Sequence, residues 1–119
     1  MLTTTISKIN GVAVVSVSGS IYFGDESTCL RTIAKDLLKE THRIVFDLEN
    51  VTHIDSGGVG TLVAAYASAR QARGELKFSN LCPHTKEVLQ TTNLLKLFEI
   101  FVTTNDAVAS FSTPVRSGP

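Results

Sequence analysis

The chain has 119 residues, enough for one domain with a single core, and its 43% hydrophobic content is ordinary for a globular protein. Lys and Arg number 11 and Asp and Glu 11, a formal net charge of zero, which argues against nucleic acid or an anionic membrane as the main partner. The opening Met1-Leu2-Thr3-Thr4-Thr5 lacks the basic and apolar regions of a signal peptide, and no apolar run is long enough to span a bilayer, so a soluble cytoplasmic protein is expected.

The first element in the chain is a hairpin. Val12, Val14 or Val15 and Val17 alternate with Ser16 and Ser18, and Asn10-Gly11 is the favoured two-residue turn because both positions tolerate positive φ. Residues 2–9 and 12–18 are therefore expected to pair antiparallel. A helix follows over Asp25–Glu40, where Leu30, Ile33, Ala34, Leu37 and Leu38 recur at three- and four-residue steps. Its opposite face, Thr28, Thr32, Lys35, Asp36 and Lys39, is an ordinary solvated one.

Arg43–Leu48, RIVFDL, is a short strand whose near-continuous apolarity suits a sheet centre covered on both faces. A second helix is expected from Ser56 to Arg73, stopped by Gly74 in the left-handed conformation. ELKFSN is another strand, Pro83 starts a third helix through Gln90, FEIFVT (Phe98–Thr103) is a last strand, and Asn105 caps a last helix to Phe111. Ser112-Thr113-Pro114-Val115-Arg116-Ser117-Gly118-Pro119 is expected to fray. Strands separated by helices imply an α/β fold, a mixed but mainly parallel sheet of four to five strands with an N-terminal hairpin and about four helices. There is no internal repeat or linker, so one domain covers residues 1–112 and 113–119 form the tail.

Chemistry-bearing clusters are few. Cys29 and Cys82 are far apart and outside any CxxC pair, and are expected as buried or half-buried thiols in a reducing compartment. His42, His53 and His84 share no ligand spacing with one another or with the cysteines, so neither a metal nor another cofactor is expected.

The mouth of the second helix is different. Asp55-Ser56-Gly57-Gly58 leads into a segment with no charge from Ser56 through Ala69. Helix starts leave N–H groups unpaired with a partial positive charge, and Ser56 is a preferred cap residue. Val59, Leu62, Val63, Tyr66 and Arg70 form one stripe, expected on the sheet. Gly57, Gly60, Thr61, Ala64, Ala65 and Ser68, all small and uncharged, form the other side. Two readings of that side stand together: it packs against a neighbouring helix, or it is a flat docking surface for another protein. A phosphate on Ser56 would sit at a natural anion position and put roughly −1.5 to −2 charges in front of this face.

From Val45 to Leu81 the sequence, VFDLENVTHIDSGGVGTLVAAYASARQARGELKFSNL, resembles the STAS domains of bacterial anti-sigma factor antagonists, and the order of elements extends the likeness over nearly the whole chain. The family motif, Asp-Ser-Ser/Thr-Gly-Leu-Gly at a helix head, falls on Asp55-Ser56-Gly57-Gly58-Val59-Gly60. The resemblance implies a STAS-like fold and Ser56 as the residue phosphorylated by a kinase that is itself the anti-sigma factor. The dephosphorylated form then binds the kinase and releases a sigma factor, and a metal-dependent serine/threonine phosphatase resets it. Asp55 would orient the hydroxyl or meet the kinase, and Gly57, Gly58, Gly60, Thr61 and Ala64 would belong to the docking surface. The chain departs from the pattern at Gly57, and at Gly19-Ser20-Ile21-Tyr22, where the family carries acidic residues; Ser20 and Tyr22 are the candidate contacts there. Homodimer formation is left open.

Two rival readings remain. An enzyme lacks support, because Ile54 stands where a G-x-S-x-G nucleophile elbow needs glycine and no Walker phosphate loop is present. A STAS module that binds without being switched, in a stress-signalling or transporter-associated assembly, would use the same fold.

Overall fold

The structure, a computed structural model, describes residues 2–22 and 24–112; the expected frayed tail, residues 113–119, lies outside them. Ten elements follow one another: β1 (Leu2–Ile9), β2 (Val12–Ile21), α1 (Asp25–Leu38), β3 (Arg43–Ile54), α2 (Ser56–Gln71), β4 (Glu75–Ser79), α3 (Pro83–Thr91), a 3-10 turn (Leu94–Lys96), β5 (Ile100–Phe101) and α4 (Thr104–Ser112). The sheet has five strands in the order β1-β2-β3-β4-β5. The hairpin β1–β2 is antiparallel and every later pairing is parallel, as expected from the alternation of strands and helices.

The hairpin closes at Asn10 (φ 53°) and Gly11 (φ 80°), both left-handed, which is the turn Asn-Gly favours. The four successive buried residues Val12, Ala13, Val14 and Val15 face opposite sides of the sheet in alternation. Ala13, Val15 and Val17 join Ile44, Phe46, Leu48, Leu76 and Phe78 in the main core, together with Leu30, Ala34 and Leu37 of α1, Val59, Leu62, Ala65 and Ala69 of α2, and Leu89 of α3. Val12, Val14 and Val45 lie on the other face under Ala107 and Val108 of α4. The sheet is thus covered by three helices on one side and by one short helix on the other. Each fully buried side chain such as Leu62 or Phe78 contributes roughly 1.5–3 kcal/mol by leaving water.

Several expectations are corrected. β3 runs on to Ile54, because Val51 and Ile54 stay buried in the core and continue to pair with β2. The register along this extension slips twice, once between Ser16 and Ser18 and once between Gly19 and Ser20, with β3 carrying the extra residue each time. Such irregularities bend a strand and re-aim its end. β5 shrinks from the expected Phe98–Thr103 to Ile100–Phe101, the two residues that register with Phe78 and Ser79 of β4. Thr103, not Asn105, caps α4: its hydroxyl accepts the Asp106 N–H at 3.0 Å. At the end of α2 the left-handed residue is Arg73 (φ 62°), one step before Gly74. The Gly74 N–H reaches the Ala69 carbonyl at 2.7 Å, and a Cβ at Gly74 would lie 2.9 Å from the His42 carbonyl oxygen. Glycine there answers to close packing rather than to a left-handed backbone. Cys29 is exposed and Cys82 half-buried, and both are free thiols.

Candidate functional site

The mouth of α2 is built on the end of β2. Asp55 has an extended backbone (φ −104°, ψ −177°), and its carboxylate accepts the Gly58 N–H at 2.7 Å. Asp55, rather than Ser56, is therefore the cap. A carboxylate on an extended residue reaches the third amide of the helix, whereas Ser56 is already the first helical residue. The Asp55 N–H donates to the Ile21 carbonyl at 3.3 Å. The same carbonyl lies where a Cβ of Gly58 would fall, at 2.0 Å, with Ile54 Cγ1 at 2.7 Å. Gly58 is buried because the helix start and the end of β2 touch backbone to backbone.

This leaves Ser56 exposed, and its hydroxyl has no hydrogen-bond partner among the described residues. Gly57 is half-buried. Gly60, one turn on, is exposed, and a Cβ there would meet nothing within 4 Å. Ser56, Gly60 and Ala67 are the exposed small residues along this helix, with Ala64 half-buried beside them. No acidic residue lies in the first turn of the helix, and Arg70 sits in its last turn, where a cation suits the helix dipole.

The expected division of α2 into two faces is corrected in phase. Thr61 and Ala65, assigned to the outer side, are buried; the Thr61 hydroxyl donates back to the Gly57 carbonyl at 3.1 Å. Arg70, assigned to the sheet side, is exposed. The small face divides into two strips, of which the one toward α1 packs beside a neighbouring helix. There Lys35 and Leu38 of α1 and the following Lys39 border a groove with Ser68 and Gln71 of α2 and its C-cap Ala72. The other, with Gly60, stays open. Tyr66 anchors the helix from its far side: its ring lies 5.2 Å from that of Phe98, which in turn lies 4.6 Å from Phe78 of the sheet.

Ser20 and Tyr22 flank Ile21, whose carbonyl holds the mouth, so the fold brings them to the same end as Asp55 and Ser56. Ser20 is half-buried and registers with His53; Tyr22 is 41% exposed. Of the nine candidate residues, Gly58 and Thr61 are thus buried supports, while the others reach the surface at least in part.

Two arrangements escaped the sequence reading. His53 and His84 have ring centroids 5.6 Å apart; their sequence spacing holds no signal, because β3 and α3 meet only in the fold. Lys77 is 5% exposed. Its position between Leu76 and Phe78 in a core strand hinted at burial. Among the described residues there is no cluster of three or more side chains fit to hold a metal, and no helix long and apolar enough to cross a membrane.

Comparison with known proteins agrees with this geometry. The model of the STAS domain family matches residues 3–107, so the chain belongs to the STAS family, a class of non-enzymatic domains. It is 28% identical over 109 residues to the "Putative anti-sigma factor antagonist BtrV" of Bordetella bronchiseptica, covering 92% of this chain and 94% of that protein. An anti-sigma factor antagonist from Mycobacterium paratuberculosis superposes with a TM-score of 0.79 at 28% identity, covering 92% of this chain and 93% of that one. The Thermotoga maritima protein TM1081 shares the fold with a TM-score of 0.82 at 20% identity, over 90% of this chain and 92% of that one.

Proposed function

We propose that the chain is a phosphorylation-switched anti-sigma factor antagonist. In its dephosphorylated form it binds an anti-sigma factor that is also a serine kinase, and so frees a sigma factor. Phosphorylation of Ser56 by that kinase ends the interaction, and a serine/threonine phosphatase restores it. The protein acts in the cytoplasm, without direct contact with nucleic acid or membrane.

The observation that carries this reading is the exposed, unbonded Ser56 hydroxyl at the first position of α2, beside an Asp55 carboxylate already committed to the cap. A phosphate added there gains from the helix N-terminus, so the fold tolerates it. Across an interface the balance reverses. The doubly charged group next to Asp55 would be desolvated against the partner, and a penalty of about 3 kcal/mol weakens binding roughly a hundredfold. No large rearrangement of the protein is needed. Gly60 and Ala64 supply the close-approach surface, and Ser20 and Tyr22 its flank. Asp55 acts by fixing the turn that presents Ser56.

Incubation with the candidate kinase and ATP, followed by mass mapping, tests the proposal. Phosphate is expected on Ser56 and is lost in Ser56→Ala. Ser56→Asp should lower kinase affinity at least about tenfold while its denaturant midpoint stays near that of the native chain. An unmodified Ser56 together with full-strength binding of Ser56→Asp would overturn the switch.

A further inference from the structure

His53 and His84 meet at the surface, two residues before Asp55 and in the first turn of α3. Their ring centroids are 5.6 Å apart and the rings are tilted by 57°, so neither lies flat on the other. Both residues are exposed, and the pair is held from behind. The Cys82 thiol donates to the Val51 carbonyl at 2.9 Å, which ties the start of α3 to β3, and it also contacts the buried Thr85 hydroxyl at 3.3 Å. His53 lies two residues beyond Val51 and His84 two residues beyond Cys82, so this tie brings the imidazoles side by side. A further contact sets the chemical state of one ring. The Thr52 hydroxyl donates to the Gly19 carbonyl at 3.3 Å, and that uses its one proton. Its 3.2 Å contact with His53 Nδ1 must then run the other way, with Nδ1–H as the donor. In the neutral ring Nε2 of His53 therefore carries the lone pair, with no hydrogen-bond partner among the described residues. The His84 ring makes no hydrogen bond among them.

We infer that His53 and His84 form a two-imidazole site for a divalent transition-metal ion, with zinc the ion that the separation fits. Imidazole nitrogen is a ligand for such ions, whereas magnesium and calcium take oxygen. Two imidazoles bound to one tetrahedral zinc, each at the usual Zn–N length of about 2.0–2.1 Å, have centroids on the order of 5 Å apart. The 5.6 Å seen here needs only a small closing of the two side chains. Histidines that ligate metals ordinarily donate their other N–H to a fixed acceptor, which sets the tautomer and aims the ring. The Thr52 hydroxyl is that acceptor for His53. Water fills the remaining positions, because no third His, Cys, Asp or Glu among the described residues completes the set. Two protein ligands make a far weaker site than four, with a dissociation constant of about 1–100 µM. A bound ion clamps the start of α3 to the extension of β3 that leads into Asp55 and Ser56.

Calorimetric titration of the full chain with zinc, in a Cys29→Ser background that removes the exposed thiol, tests this. One ion should bind per chain and raise the thermal midpoint. His53→Ala and His84→Ala should each weaken binding more than about tenfold. Their circular dichroism should be unchanged, since both side chains are exposed. Thr52→Val removes the acceptor that aims His53 and should weaken binding about tenfold. His42→Ala, next to the opposite end of β3, should leave it unaltered. A chain that shows no saturable binding up to about 1 mM zinc overturns the inference, as does binding that keeps its strength when either His53 or His84 is replaced.

Discussion

Gly58 and Gly60 stand two residues apart on one helix and answer to different constraints. A methyl on Gly58 would meet the Ile21 carbonyl oxygen at 2.0 Å, a backbone atom that can move only if the end of β2 moves. Gly58→Ala is expected to destabilise the fold by about 2–4 kcal/mol, read from the urea midpoint. Gly60 has open space where its Cβ would be, and glycine inside a helix costs about 0.5–1 kcal/mol relative to alanine. Gly60→Ala should therefore stabilise the isolated protein by that amount. If Gly60 is docking surface, Gly60→Arg keeps the fold and weakens partner binding; unaltered binding by Gly60→Arg would remove this residue from the interface. Sequence could not separate these two glycines, because the atom that distinguishes them belongs to residue 21.

At the scale of elements, the hairpin and the core face of α1 were legible because turn chemistry and apolar spacing act locally. Leu30, Ala34 and Leu37 are buried, and Lys35, Asp36 and Lys39 exposed, as their spacing implies. In α2 that logic failed. The helix has no charge before Arg70, so no polar face marks its outer side, and Thr61 and Ala65 are buried in a helix that packs against α1 as well as the sheet. The length of β3 was missed because its last residues are held by pairing with β2 rather than by continuous apolarity. The exposed Ser56 was legible, but its cap was assigned to the wrong neighbour: Asp and Ser are equally good caps, and only the backbone at Asp55 decides. α4 is attached from below by Lys77, whose ammonium donates to the Ser110 hydroxyl at 2.6 Å, lies 4.1 Å from the ring centroid of Phe111 and pairs with Glu99 at 3.3 Å. Removing the buried Lys77 side chain leaves a hole, whereas an apolar chain of similar length fills the space. Lys77→Ala is expected to cost about 2–3 kcal/mol and to speed amide exchange in α4 selectively. Lys77→Met should cost clearly less; equal losses would show that the charge, not the packing, holds α4.

For the whole molecule, the sheet order places the proposed switch at the centre: Ser56 follows β3, the middle of the five strands, while β1 and β5 form the margins. The fold itself was the most legible level, since the alternation of elements left few ways to build the sheet.

The contact between Gly58 and Ile21 has one more consequence. Ser56, the proposed acceptor, is displayed on a bracket whose two halves come from distant parts of the chain, so an enzyme that modified it would have to read a posture, not a string of letters. A synthetic peptide covering residues 50–62 carries every local side chain and none of that scaffolding. It should be a very poor substrate beside the folded protein, and comparable turnover of the two would mean that the architecture around the serine is dispensable.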